Sequence, residues 1–273
     1  MNSPDPLHDA YSPPQIAVRV QSVGVAKAQA SVSTILVLAV LAGAFISLGA
    51  LFFLVVTTGN AELGFGLNRL VGGLCFSLGL ILVVVGGAEL FTGNNLMAMA
   101  WASGSISTRQ LLRHWGLAYV GNVVGCLLTV ALVAGAGLPL LGRGGVGQTA
   151  VAIALAKVQL SPLEIFCRGV LCNALVCLAV WLAMSGRSVA DKILAIVFPI
   201  TAFVTIGLEH SIANWFFLPL AACCETGGQF QLSDVLRNLL ISTIGNLVGG
   251  SLLVAAVYWL AYLREQGKST PQA

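Results

Sequence analysis

The residues best placed to do chemistry stand in one stretch, Gly207-Leu208-Glu209-His210-Ser211-Ile212-Ala213-Asn214. Largely apolar segments flank it, Ile193 to Ile206 before and Trp215 to Leu220 after. A carboxylate and an imidazole therefore sit side by side within a segment that otherwise reads as membrane-embedded. A charge at that depth costs about 3 kcal/mol on insertion scales, so such residues face a bundle interior or an aqueous path. Gly207 and the polar cluster predict that the helix breaks here. A broken spanning helix leaves backbone groups free, which is tolerated only where they are buried in protein or line a cavity. Imidazole changes charge near neutral pH, with an unperturbed pKa of about 6.5. His210 is thus the best candidate for handling a substrate; His8 falls in the N-terminal tail and His114 near a predicted span end.

A second stretch has the same character. Gly86-Gly87-Ala88-Glu89-Leu90-Phe91-Thr92-Gly93-Asn94-Asn95 interrupts an apolar run that resumes at Leu96 to Trp101. Glu89 and Glu209 could relay protons, but the reading preferred here is structural, with each carboxylate tying down loop N–H groups. Asn122 and Asn246, each in a Gly-Asn-x-Val-Gly motif, are read as anchors bonding the broken loops.

The elements that position these groups follow from composition. Only 8% of the 273 residues are charged and 58% are hydrophobic, against about 25% charged in soluble domains; the chain reads as an integral membrane protein. Ten-residue alternating strands are absent, so the spans are helices. A dispersed net charge of +3 excludes a nucleic-acid partner. Seven cysteines follow no CxxC or Cys/His metal spacing, and no metal or cofactor is expected. Most lie in apolar runs as small hydrophobes; Cys223-Cys224 is read as a pair of thiols.

In chain order, residues 1–29 read as a polar, proline-bearing tail followed by a short amphipathic helix from Gln15 to Ala28, whose Arg19 and Lys27 suit a membrane surface. Residues 30–263 read as six spans: about Ala30 to Thr57, from Leu67 through the first break, about Leu111 to Leu138, Pro162 to Met184, the broken segment around His210, and one capped by Ser233 or Asp234 that runs to Leu263. Gly142 to Gly147 reads as a glycine-rich loop, and residues 264–273 as a polar tail. No basic stretch followed by an apolar one marks a cleaved signal peptide. Six spans place both termini on one side. That side holds Arg19, Lys27, Arg109, Arg113, Arg187, Lys192, Arg264 and Lys268, against Arg69, Arg143, Lys157, Arg168 and Arg237 on the other, so the positive-inside rule puts the termini in the cytoplasm. Trp101, Trp115, Trp181 and Trp259 fall near the cytoplasmic ends, as an interfacial belt would.

The halves echo each other. Glu89 and Glu209 are 120 residues apart, and Asn122 and Asn246 are 124 apart. Each motif sits on the corresponding span of its half. Three spans is an odd number, so the second copy enters the membrane from the opposite side. An inverted repeat with two broken helices at equivalent places points to a site at the midplane.

At these residues the chain resembles the formate/nitrite transporter family, above all its formate-channel branch. The resemblance rests on Ala88-Glu89-Leu90-Phe91-Thr92, Arg168 to Leu182, Ser185-Gly186-Arg187-Ser188, the Gly207 to Asn214 stretch and Gly245 to Gly250, and covers about Ala28 to Glu265. It implies an all-α, aquaporin-like fold of two inverted three-helix repeats with interrupted second and fifth helices, assembled as a homopentamer in the bacterial inner membrane. It implies transport, not catalysis: a small monovalent anion, formate first and nitrite second, moved through a pore as a pH-dependent channel or proton-coupled carrier. His210 would face the pore midpoint with Thr92 opposite, Asn173 on the fourth span and Lys157 at the outer vestibule. Phe76, Leu80 and Phe203, with Leu90 and Phe91, would close the pore. The chain departs from the formate branch at Gly93-Asn94-Asn95, which is more polar. Hydrosulfide or lactate on the same fold is one rival. A neutral-solute channel is another, but its paired Asn-Pro-Ala motifs are missing from both breaks.

Overall fold

The computed structural model describes residues 9–225, 227–228 and 231–264. The expected tails, in residues 1–8 and 265–273, with Lys268 among them, and parts of the Glu225 to Asp234 loop lie outside the described residues. Among the described residues all regular structure is helical: α1 Pro13–Gln29, α2 Val32–Thr57, α3 Gly64–Gly86, α4 Ala98–Ala102, α5 Thr108–Gly135, α6 Gly145–Val158, α7 Pro162–Ser185, α8 Val189–Ile206, α9 Ser211–Cys224, α10 Leu232–Val248 and α11 Val257–Tyr262. A π-helical stretch, Gly249–Ala256, joins α10 to α11, and a 3-10 turn, Gly93–Met97, precedes α4. Six segments are long and apolar enough to cross a membrane: α2, α3, α5, α7, α8 and the continuous run Leu232–Tyr262.

Helix starts are written locally. Ser31, Ser107 and Ser161 cap α2, α5 and α7 by accepting from the N–H three residues on, at 3.1, 3.2 and 3.3 Å, the arrangement that satisfies an otherwise orphaned first-turn donor. The last span is capped by Gln231, two residues before the expected Ser233. Asp234 is its third residue and accepts from Gln231 N–H at 3.3 Å, because a carboxylate there can reach back to the preceding backbone.

The helices meet where side chains are absent. A Cβ built on Gly125 would lie 2.0 Å from the Val40 carbonyl oxygen, and one on Gly249 would lie 2.1 Å from that of Val170. Small residues let spanning helices approach to backbone contact. These are one contact made twice, α5 on α2 and the last span on α7, with positions displaced by 124 and 130 residues. The inverted repeat is thereby structural. It also reaches further than the three spans per half expected. The segment after the glycine-rich loop is a helix, α6, where the sequence reading had none, and it is the twin of α1. Glycines at its start and the lack of a polar face in its 14 residues concealed it.

The helix α1 is docked within the protein. Ile16, Ala17, Val20, Gly24 and Ala28 are buried against α4, α7, α11 and the 3-10 turn, closing the fold on the side of α4 and α11, here called the terminal side. The face opposite, formed by α6 and the α2–α3 and α5–α6 connections, is the distal side. The tryptophan belt is only partly realised. Trp101 is half-exposed, but Trp181 is buried and stacked on Tyr258 at 4.0 Å, and the Trp115 indole donates inward to the Asn94 carbonyl at 3.0 Å.

Candidate functional site

Both predicted breaks exist. α3 ends at Gly87 and α8 at Gly207, each with φ 82°, a left-handed turn that glycine adopts without steric cost. The residues that follow each turn, 88–92 and 208–210, lie outside regular helix, so their backbone groups need other partners. One asparagine serves each break. Asn122 Nδ2 donates to Glu89 O at 2.9 Å and to Ala39 O at 2.8 Å, while its Oδ1 accepts from Phe91 N–H at 2.9 Å. Asn246 repeats this with Glu209 O at 2.9 Å, Gly169 O at 2.8 Å and Ser211 N–H at 2.9 Å. A primary amide is suited to the task because it carries two donors and an acceptor on one rigid plane.

The carboxylates do something other than expected. Their partners are side chains, since the asparagines already serve the loops. Glu89 instead accepts from Lys27 at 2.8 Å and Asn94 at 2.7 Å, and lies 3.1 Å from His114 Nε2. Glu209 accepts from Lys157 at 2.8 Å, Asn214 at 2.7 Å and Asn238 at 3.0 Å. Each break holds one lysine–glutamate pair, brought in by α1 on the terminal side and by α6 on the distal side. The Lys157 charge is therefore matched. Sequence reading missed Lys27, Asn94, Asn214, Asn238 and His114 as members of these clusters. The 130-residue spacing of Lys27 and Lys157, shared by Ser31 and Ser161, was the available signal.

His210 is the N-cap of α9, and its Nδ1 accepts from Ala213 N–H at 3.0 Å. A neutral ring so engaged carries its hydrogen on Nε2. That atom lies 3.0 Å from Thr92 Oγ1, so Nε2–H donates to the hydroxyl and leaves the hydroxyl's own hydrogen to point elsewhere. The result is a chain of aligned donors that starts at the positive end of α9 and ends at Thr92. Both side chains are buried. Their twins at a spacing of 120 are Leu90 and Ile212, so this polar contact has no counterpart on the other side of the pseudo-twofold.

Two cavities flank the contact. The distal one, about 210 Å³, includes Phe76, Phe203, His210, Lys157, Arg69 and Arg168 in its walls. The terminal-side one, about 370 Å³, includes Leu80, Leu90, Val83, Lys27, Glu89 and Asn94. Phe76 and Leu80 are one turn apart on α3, so the cavities close on each other across that turn. On the distal side Phe76 meets Phe203 edge-on at 5.5 Å, and Phe203 stacks on the His210 ring at 5.8 Å. Phe91 lines neither cavity; its ring packs edge-on against Tyr119 at 5.0 Å. Asn173 is buried and donates to Asn246 O at 2.7 Å and Thr92 O at 3.2 Å. It thus holds the backbone beneath the Thr92 hydroxyl. Asn95 Nδ2 also donates to Asn246 O at 3.2 Å, beside the backbone N–H of Gly249.

Known proteins share this architecture. A model of the formate/nitrite transporter family matches residues 14–260. The formate channel FocA of Escherichia coli K12 is 41% identical over 94% of this chain and 96% of its own length. A probable formate transporter of Methanothermobacter thermautotrophicus is 40% identical over 93% of this chain and 98% of its own. Among solved structures, a pentameric formate channel with formate bound superposes with a TM-score of 0.79 at 38% identity, covering 85% of this chain and 98% of that one. An ion channel of the same family gives 0.82 at 28% identity over 90% and 98%. With the paired breaks, the asparagine anchors and the midpoint contact all in place, the chain is an integral membrane protein that belongs to the formate/nitrite transporter family.

Proposed function

We propose that this protein carries formate across the bacterial inner membrane, with both termini cytoplasmic and five copies per assembly, each copy holding its own path. The observation that carries the reading is the single contact between Thr92 Oγ1 and His210 Nε2, 3.0 Å long, placed between two cavities that are otherwise closed by apolar side chains. A bare anion entering an apolar constriction loses hydration that costs many kcal/mol to replace. The donor chain from Ala213 through His210 to Thr92 offers a hydrogen bond at the narrowest point. Formate fits what is offered: one charge, two acceptor oxygens and little bulk to pass Phe76 and Leu80. The relatives called formate channels, and the neighbour with formate bound, support the choice of anion and of assembly. The lysine and arginine asymmetry supports the orientation. The anion leaves unchanged, so no catalytic step is involved.

The test is formate flux into proteoliposomes from about pH 5 to 8, the range in which imidazole changes charge. His210→Asn keeps an amide that can cap α9 and donate, but cannot titrate. It is expected to fold and to flatten the pH profile. Thr92→Val removes the hydroxyl at similar volume and is expected to lower flux at every pH. Wild-type rate and profile in both variants would reduce His210 to a helix cap and defeat the reading.

A further inference from the structure

The inverted repeat supplies an internal control: a residue required by the architecture of one break should have its twin at the other. Lys157, Glu209, Asn214 and Asn246 pass, with Lys27, Glu89, Asn94 and Asn122. Two residues of the distal cavity do not. Arg168 corresponds to Leu38 at the spacing of 130 that relates Lys157 to Lys27. Arg69 corresponds to Val189 at the spacing of 120 that relates Gly207 to Gly87. The backbone duty at the first pair is conserved without the charge: Arg168 O accepts from Glu209 N–H at 3.4 Å as Leu38 O accepts from Glu89 N–H at 3.2 Å. The guanidinium of Arg168 is therefore additional to the fold.

Both arginines converge on Gly207. Arg69 Nε donates to Thr205 O at 2.8 Å and Arg168 Nη1 to Gly207 O at 3.4 Å. A Cβ built on Gly207 would lie 2.3 Å from Arg69 Nη2, so the bare glycine admits the guanidinium to the break. Both side chains are half-buried and line the same cavity as His210. Among the described residues neither arginine forms an ion pair; Glu209, the carboxylate in that wall, is held by Lys157. Two like charges at one place in a confined cavity repel, and an anion between them relieves the repulsion. Guanidinium groups also present paired N–H donors that match the two oxygens of a carboxylate or nitrite in one plane. On the terminal side the corresponding positions carry no charge, Leu38 in the cavity wall and Val189 outside it, and Lys27 is matched by Glu89.

We propose that Arg69 and Arg168 form a binding site for small planar oxyanions in the distal vestibule, one step outside the His210–Thr92 contact, and that this site makes capture from the distal side tighter than capture from the terminal side. The proposal rests on the transport reading for its consequence in flux, and on the cavity alone for binding.

Two measurements test it separately. In oriented proteoliposomes, Arg69→Gln/Arg168→Leu should raise the half-saturating formate concentration for distal entry by about tenfold, equivalent to about 1.4 kcal/mol, and leave terminal-side entry nearly unchanged. In detergent, phenylglyoxal should modify both arginines of the wild type, and formate or nitrite should slow this by about threefold or more, as expected if guanidinium N–H donors are engaged. The lysine variants Arg69→Lys and Arg168→Lys, which retain charge without the planar fork, should fall between. Equal shifts from both sides, or no protection by either anion, would overturn the site. A wild-type protein that binds and protects but moves no formate would defeat the transport reading while leaving the site standing.

Discussion

Asn122 and Asn246 hold the two breaks by the same three hydrogen bonds, to matching backbone atoms, from helices that run in opposite directions. Each amide stands in for backbone partners that the broken helix has lost. Removing either leaves two carbonyls and an N–H buried without that partner. Asn122→Ala and Asn246→Ala should each destabilise by about 2–4 kcal/mol, since unsatisfied buried groups cost roughly 1–3 kcal/mol apiece with partial relaxation. Thermal unfolding in detergent should show comparable shifts for the two. A large loss for one and none for the other would mean that the breaks are not equivalent.

The lysine pairs are expected to be unequal despite their shared geometry. The Glu209 side chain is 2% exposed and that of Glu89 13%, and Glu89 has His114 beside it where Glu209 has Asn238. Lys157→Met should therefore cost more than Lys27→Met, because a buried charge stripped of its partner is penalised by about 3–5 kcal/mol. Adding Glu209→Gln to Lys157→Met should recover most of the loss. Melting temperatures of the three variants decide the matter, and an unrescued double variant would count against a charge-based cause.

Selectivity by size should reside in the aromatic pair. Phe76→Ala or Phe203→Ala removes one half of the 5.5 Å edge-on contact and opens the distal mouth toward His210. Acetate and lactate entry should rise relative to formate by about tenfold if the lost contact sets a barrier of about 1.4 kcal/mol. Competition assays in proteoliposomes measure the ratio directly. A formate preference unchanged in both variants would place the filter elsewhere.

The orientation can be read chemically. In a background lacking the exposed Cys167 and Cys223, a cysteine at Glu62 on the distal side should react with an impermeant maleimide in intact cells, and one at Arg109 should react only after the cells are opened. The reverse pattern would invert the assignment of cytoplasmic termini.

Much of this architecture was legible in the chain because membranes make local signals strong. The apolar runs marked six spans, Gly87 and Gly207 marked where helices must stop, and the Asn122 and Asn246 motifs exposed the repeat. What escaped was carried by partners distant in sequence. α6 has too few polar residues to show a face, so Lys157 could be placed only by resemblance. Lys27 looked like a surface charge because nothing near it in sequence is acidic; Glu89 meets it across 62 residues. His114 seemed to lie at a span end, yet it is buried beside Glu89. The role of Asn173 depends on the Asn246 and Thr92 carbonyls, 73 and 81 residues away in the chain, which no local pattern announces.

The positions of Leu90 and Ile212 have a consequence for kinetics. They are the repeat partners of His210 and Thr92, and they are apolar, so the path has its polar contact on one side of the pseudo-twofold and leucine on the other. An ion arriving from the distal cavity reaches His210 before Leu80 and Leu90; one arriving from the terminal side meets the leucines first. The free-energy profile along the path is therefore lopsided even with identical solutions at both ends. Detailed balance forbids net flow from that shape alone, but it allows the rate to saturate at different concentrations from the two sides and allows trans-side formate to slow entry unequally. A chain built from two copies of one motif thus acquires a sense of direction from two substituted positions.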